Sequence, residues 1–279
     1  MLDKHQIVRA RHGDDDDDCW QSITETRRSM SRFSGKKAVV SGGTHGMGFA
    51  IAKALMEGGA EVVLTGRNER NIEAALKALP GAHVIRMDVA NLAEIEALQS
   101  TVEAKLGAID FLFVNAGVSV LGPLESVTET TYDHMFDINT KGAFFTTQRL
   151  VPLIRAGGAI VFTTLAEGPA TANLSVYAGS KAAVRAFAQV FAAELVGKGV
   201  RVNAVGPGFI DTPTLGVAGL TPEARAQMAQ LGDQITPMRR HGTPDEVARA
   251  ALFLAADATF TTGIEIAVDG GLMQIGAAL

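Results

Sequence analysis

Short apolar runs, each followed by a longer stretch of helical spacing, recur between residues 37 and 268 and constrain the fold more than any other feature. Lys37-Ala38-Val39-Val40, Glu61-Val62-Val63-Leu64-Thr65, His83-Val84-Ile85-Arg86-Met87 and Phe111-Leu112-Phe113-Val114 read as strands. Ala159-Ile160-Val161-Phe162, Val200-Arg201-Val202-Asn203 and Ile264-Glu265-Ile266-Ala267-Val268 continue the series. Between them the spacing predicts helices over about 47–57, 92–106, 129–155 and 176–196. Another helix runs through Ile72, Ala75, Leu76 and Leu79 and is closed by Pro80-Gly81. A strand that is apolar throughout, rather than at alternate positions, is buried on both faces. Strands of that kind separated by helices imply an α/β fold. The expected form is a doubly wound parallel sheet of about seven strands, with right-handed crossovers and helices on both faces.

The 279 residues, 47% hydrophobic and 20% charged, suffice for one such domain with a core that needs no staples. The domain is expected over 33–279. Residues 1–32 read differently, because Asp14 to Asp18 form an unbroken acidic run among arginines and little apolar surface is available to offset ordering. That segment is expected to be a mobile acidic leader. A net charge of −5 offers no field for phosphate polymers, so nucleic acid is not an expected partner. The single cysteine, Cys19, excludes an internal disulfide and a cysteine-cluster metal site and suits a reducing compartment. No run reaches the ~20 apolar residues of a membrane helix, and the N-terminus lacks the apolar core of a secretory signal. A cytoplasmic location with no membrane partner is the expectation.

After the first strand comes Ser41-Gly42-Gly43-Thr44-His45-Gly46-Met47-Gly48, which opens directly into a helix. Side chains at positions 42, 46 and 48 would keep the backbone away from a pyrophosphate, whereas glycines let helix-terminal amides reach it. The strand–loop–helix setting at the start of the series is what makes a glycine cluster informative. A nucleoside-triphosphate loop would need Lys and then Ser or Thr after its last glycine, and here Phe49-Ala50 follow. A dinucleotide is therefore the expected cofactor. NAD sites carry an acidic residue about 20 positions on, for the ribose hydroxyls. This chain has Thr65-Gly66-Arg67-Asn68 there, and Arg67 provides a cation for a 2′-phosphate, with His45 as a second contact. NADP(H) is expected in preference to NAD(H).

Of the two tyrosines, Tyr132 and Tyr177, the second lies four residues before Lys181 in a helical segment, so the two share a face. A free phenol has a pKa of ~10. A neighbouring ammonium and a positive cofactor ring would lower it and let the phenol exchange a proton with an alcohol or carbonyl. Several motifs then fall in an order that resembles the short-chain dehydrogenase/reductase family of classical type, notably its NADP(H)-dependent alcohol dehydrogenases and ketoreductases. Ser41-Gly42-x-x-x-Gly46-x-Gly48, with Thr44, His45 and Met47 between and beside the glycines, is similar to its cofactor loop. Asp88-Val89 resembles the pair that contacts adenine, and Asn115-Ala116-Gly117 its signature after the fourth strand. Asn139 matches the asparagine that holds a proton-relay water, and Tyr177-Ala178-Gly179-Ser180-Lys181 the active-site motif. Pro207-Gly208-Phe209-Ile210-Asp211-Thr212 resembles the segment that clamps the nicotinamide amide, and Val268-Asp269-Gly270-Gly271 the closing turn. The resemblance runs from about Phe33 to Met273. It implies a Rossmann-like fold and Pro207, Gly208, Ile210 and Thr212 as cofactor contacts. It also implies Tyr177, Lys181 and Asn139 as the catalytic set, and a homo-oligomer, tetramer or dimer.

The family's serine thirteen positions before the tyrosine is absent. Counting back from Tyr177 gives Thr164, which keeps a hydroxyl, whereas aligning by the strand Ile160-Val161 gives Leu165, which has none. Thr164 is preferred because it needs no gap. In the family, Pro213 to Arg240 is the substrate lid, and here Leu215, Val217, Leu220, Met228, Leu231, Ile235 and Met238 make it apolar. The expected substrate is a small or medium, rather apolar ketone or secondary alcohol. Neither a Gly-x-Ser-x-Gly elbow nor a His-Glu-x-x-His helix occurs, the histidines are scattered, and no metal is expected. The alternative is a dinucleotide-binding sensor or scaffold with weak or no catalysis. Another is dehydration or epimerisation on the same cofactor.

Overall fold

A computed structural model describes residues 32–166, 171–213, 215, 217 and 221–275. The acidic leader lies outside the described residues apart from position 32. Seven strands form one sheet: β1 (Lys37–Ser41), β2 (Glu61–Gly66), β3 (His83–Arg86), β4 (Ile109–Val114), β5 (Ile154–Thr163), β6 (Arg201–Pro207) and β7 (Glu265–Val268). Their order is β3-β2-β1-β4-β5-β6-β7 and every pairing is parallel. The chain winds outward from β1 in one direction, then returns and winds outward from β4 in the other. The carboxyl ends of β1 and β4 therefore flank the point where the order reverses, which is where such sheets form a crevice.

The helices are α1 (Gly46–Glu57), α2 (Glu69–Ala78), α3 (Leu92–Leu106), α4 (Glu129–Phe136), α5 (Gly142–Leu150), α6 (Ser175–Leu195), α7 (Pro222–Ile235) and α8 (Pro244–Leu252). Two buried clusters cover the sheet. One gathers α1 and α8 residues such as Ile51, Leu55, Val247 and Leu252 against Val40, Val62 and Phe113. The other packs Leu98, Val102, Ile138, Val184 and Ala188 on Val39, Leu112 and Phe162. Alternate residues of single strands enter opposite clusters, as the pleat requires, and this is why the strands read as continuously apolar.

The long helix expected over 129–155 is broken. A π turn at Asp137–Lys141 separates α4 from α5, and α5 ends at Leu150, where Pro152 enters a 3₁₀ turn and β5 begins at Ile154. Such a one-turn π segment inside a helix widens it locally, and here it carries Asn139. Helix α8 follows Thr243, whose hydroxyl accepts the Glu246 amide while Glu246 accepts the Thr243 amide, a reciprocal cap on a sequence not singled out beforehand. Among the described residues no helix is long and apolar enough to cross a membrane.

Candidate active site

The glycine loop leads from β1 into α1, and that helix starts without a side-chain cap or an acidic residue in its first turn. By contrast α2, α3, α4, α7 and α8 are each capped by Asn or Thr and carry Asp or Glu there. The first amides of α1 and their positive dipole end are thus left for an anion. The glycines are needed sterically. A Cβ on Gly42, whose φ is +67°, would stand 2.7 Å from the Cα of Ala116, and one on Gly48 would strike the Gly42 carbonyl and lie 2.5 Å from Asn115 Nδ2. Asn115 is the brace between the two halves. Its Nδ2 donates to the Gly42 carbonyl at 3.1 Å, its Oδ1 accepts from Thr163 Oγ1 at 3.1 Å, and its backbone N–H donates to the Ser41 carbonyl at 3.2 Å.

Across the mouth stands Thr212, buried, with its methyl 3.5 Å from where a Gly46 Cβ would sit. The Thr212 Cβ, at 3.8 Å, is the one further atom within 4 Å of that point among the described residues outside the glycine's chain neighbours and its own helix. Ser41 Oγ, His45 Nε2 and Thr212 Oγ1 are buried without a hydrogen-bond partner among the described residues. Each such group costs about 1–3 kcal/mol unless a ligand or water completes it. Burial also lowers the His45 pKa, which keeps the ring neutral. Three unmade polar contacts around a glycine cradle and free helix amides are what a phosphorylated dinucleotide would complete, so the residues fit that group.

Thr44 packs on Gly66 at the end of β2, and Met47 lies half-buried in the first turn of α1. Arg67 follows β2 directly. One guanidinium nitrogen donates to Asp88 Oδ2 at 3.2 Å, and about half of the side chain is exposed. Asp88 Oδ1 accepts the Ala90 amide, which shapes the turn after β3, while Val89 is buried against Gly142. On the other side Pro207 ends β6, the Gly208 amide donates to the Val268 carbonyl, and Ile210 is buried and bridges to Gly242. Asp269 accepts the amides of Gly271 and Met273 and closes the turn beyond β7.

Tyr177 and Lys181 lie in the first turns of α6. Lys181 is buried, and its ammonium donates to the Thr163 carbonyl at 2.8 Å. A Cβ on Gly117 would lie 3.0 Å from that ammonium and 3.2 Å from Asn139 Oδ1, so the Asn115-Ala116-Gly117 segment, Lys181 and Asn139 meet at one point. The Asn139 side chain is fully used: Nδ2 donates to the Val118 carbonyl and to Ser180 Oγ, both at 2.9 Å, and Oδ1 accepts the Val118 amide at 2.8 Å. Ser180 and the Thr163 carbonyl are therefore parts of the site that the sequence reading passed over. Ser180 was visible inside the tyrosine motif, but a carbonyl leaves no signal in sequence. Burial pushes the Tyr177 phenol up to about 12 and the Lys181 ammonium down to about 8. The lowered phenol pKa expected from the ammonium is thus not found in the protein alone, where burial is the cause that acts on the phenol and it raises the pKa.

Thr164 is not brought to this crevice. The ladder between β5 and β6 continues beyond Thr163, with the Thr164 amide on the Val205 carbonyl and the Ala166 amide on the Pro207 carbonyl. Side chains therefore keep alternating. Thr163 faces Asn115, so Thr164 faces away, where its hydroxyl contacts the Val205 carbonyl at 2.9 Å and the Glu265 carboxylate. Counting back from Tyr177 misled because the loop before a helix can lose a residue, while strand register cannot slip without turning every side chain over. The strand alignment, which assigns Leu165, is the better one.

Comparison with known proteins identifies the family. A family model described as enoyl-(acyl carrier protein) reductase matches residues 42–273. Oxidoreductase asL5 of Sarocladium schorii is 38% identical over 253 residues, covering 88% of this chain and 99% of that protein. The L-fucose dehydrogenase of Oryctolagus cuniculus is 36% identical over 247 residues, 87% of each chain. Among solved structures, a double mutant of a Serratia marcescens short-chain dehydrogenase/reductase superposes with a TM-score of 0.77 at 29% identity, covering 86% of this chain and 98% of its own. With the crevice, the tyrosine–lysine helix and these relatives together, the chain belongs to the short-chain dehydrogenase/reductase family and is an NAD(P)-dependent oxidoreductase.

Proposed function

We propose that the protein transfers a hydride between NADP(H) and a small or medium, rather apolar ketone or secondary alcohol, with Tyr177 as acid and base. The observation that carries this reading is the convergence of Gly117, beyond β4, and Asn139, in the π turn, on Lys181, which shares its helix with Tyr177. When bound, the nicotinamide would supply or accept the hydride. The chain's own part is the proton. Tyr177 gives one to the carbonyl oxygen in reduction and takes one from the alcohol in oxidation, while the Lys181 ammonium stabilises the phenolate left behind. Asn139 and Ser180 hold the segment after β4 beside Lys181.

Arg67 supports NADP(H), since the end of β2 carries a guanidinium and no carboxylate. Asp88, its partner in the structure, would yield to a 2′-phosphate, which carries more charge and more acceptor oxygens. The partly buried rings of Phe144, Phe187 and Phe191, with exposed Val190 and Val196, support a homo-oligomer built on α5 and α6. The lone cysteine suits a cytoplasmic enzyme.

A second substrate reading has an observation behind it. Beside the first turn of α6 a cavity of ≈ 240 Å³ is lined by Ser126, Thr131, Asn173 and Ser175 as well as by Val120, Leu121 and Val176. Hydroxyl and amide groups of this kind favour a polyhydroxylated substrate, in keeping with the sugar for which the Oryctolagus cuniculus relative is named. NADPH oxidation against a panel of apolar ketones, diketones and ketoses, with the natural chain and Tyr177→Phe, tests all of this. Turnover is expected, and the variant should lose about 10²- to 10⁴-fold in kcat while still binding NADPH. Binding of NADPH without turnover across the panel would make the protein a sensor instead.

A further inference from the structure

The crevice has lost the usual donor to the oxygen whose bonding changes in the reaction. The Thr164 hydroxyl is committed to the Val205 carbonyl and Glu265, and Leu165 has no donor in its side chain. Another hydroxyl lies close by. Ser119 is 4% exposed, and its Oγ has no hydrogen-bond partner among the described residues. Buried polar groups are nearly always paired in folded proteins, and an exception marks a contact that something else completes.

The position of Ser119 is fixed from two sides. Val118 is tied through its amide and its carbonyl to the Asn139 side chain. Gly117, one residue earlier, is the position whose Cβ would stand 3.0 Å from the Lys181 ammonium. Two residues of chain reach at most about 7 Å, so the Cα of Ser119 is no farther than that from the Cα of Gly117. From the other side, a parallel bridge pairs Ser119 with Val217, in the segment beyond Thr212 that follows the cofactor clamp. Ser119 thus stands between the Gly117–Lys181 contact on one side and Val217 on the other.

We propose that Ser119 supplies the hydroxyl that holds the substrate's reacting oxygen, replacing the serine missing from the end of β5. This rests on the hydride-transfer reading above. In reduction the hydride adds to the carbonyl carbon, the π pair of the C=O bond moves to oxygen, and the Tyr177 proton goes to that oxygen. Ser119 keeps its own proton and donates a hydrogen bond to the oxygen as charge builds on it. A donor so placed acts most strongly in the transition state.

The experiment compares Ser119→Ala, Ser119→Thr and Ser119→Val on a ketone that the natural chain reduces with NADPH. Thr and Val have nearly the same shape and differ in the hydroxyl, so the pair isolates its effect. The Ala and Val variants are expected to lose about 10²-fold in kcat, and Thr to recover most of it. NADPH affinity, read by fluorescence titration, should not change. The melting temperature of the Ala variant should not fall, because the hydroxyl has no protein partner to lose. Full kcat in the Ala variant, or equal rates in Thr and Val, would overturn the assignment to Ser119 alone. A natural chain that binds NADPH and reduces nothing in the panel would overturn it together with the hydride-transfer reading.

Discussion

Burial acts in opposite directions on the two titrating groups of the crevice, raising Tyr177 to about 12 and lowering Lys181 to about 8. Both shifts favour the neutral form, because desolvation penalises charge of either sign. The consequences for pH follow from which form each direction uses. In the proposed mechanism reduction consumes the phenol proton, and a raised pKa keeps that proton in place throughout the neutral range. Oxidation needs the phenolate, which a raised pKa makes scarce until the medium is alkaline. The ratio of oxidation to reduction kcat is therefore expected to rise steadily with pH. Reduction should hold level up to about 8 and decline above it, as Lys181 loses the charge that steadies the departing proton's site. Rate profiles measured in both directions check this. In Lys181→Met the decline near 8 should vanish with most of the activity, and a profile still breaking near 8 in that variant would assign the break elsewhere.

At the scale of elements, β5, β7 and α6 are locked by a group of side chains outside the proton path. Arg185 on α6 meets Glu265 on β7 through two contacts, Nε to Oε2 at 2.9 Å and a terminal nitrogen to Oε1 at 2.8 Å, and the same guanidinium donates to the Leu165 carbonyl at 2.7 Å. Both side chains are largely buried. Arg185→Met leaves the Glu265 carboxylate half-satisfied beside Thr164, and the expected cost in unfolding free energy is on the order of 3 kcal/mol. Glu265→Gln should cost less, since the amide oxygen still accepts. Denaturant melts of both variants and of the double replacement would measure the coupling, and strict additivity would mean that the pair contributes nothing as a pair. These elements also mark how far sequence alone reaches. The strands were legible because burial on both faces writes itself as uninterrupted Val, Ile, Leu and Phe, and the helix of Tyr177 because its apolar stripe runs from Val176 to Leu195. The π turn at Asn139 was not, since one extra residue per turn leaves an amphipathic pattern nearly intact. Nor was the turning of Thr164 away from Asn115, because it depends on the β5–β6 ladder continuing past Thr163 to Ala166.

The whole molecule is two half-sheets, β1 to β3 and β4 to β7, joined edge to edge along β1 and β4. A dinucleotide in the crevice would touch both: the glycine loop, Arg67 and Asp88 on one half, and Asn115 to Gly117, Lys181 and Thr212 on the other. A ligand that spans the seam can bind only when both halves are folded and docked, so its binding energy adds to the stability of the complete fold. At a hundred times its Kd it contributes about 2.7 kcal/mol. For a domain of this size that corresponds to a rise in melting temperature of roughly 5–10 °C. Saturating NADPH is expected to give such a rise, and NADH at the same concentration a clearly smaller one. Arg67→Ala should bring the NADPH shift down toward the NADH value and leave the latter nearly unchanged, because of the two cofactors only NADPH carries the 2′-phosphate that the guanidinium would meet. Differential scanning fluorimetry of the two proteins with the two cofactors reads all four values. Equal shifts with NADPH and NADH in the natural chain would show that Arg67 serves Asp88 and the turn after β3, and that the cofactor is chosen by something other than the end of β2.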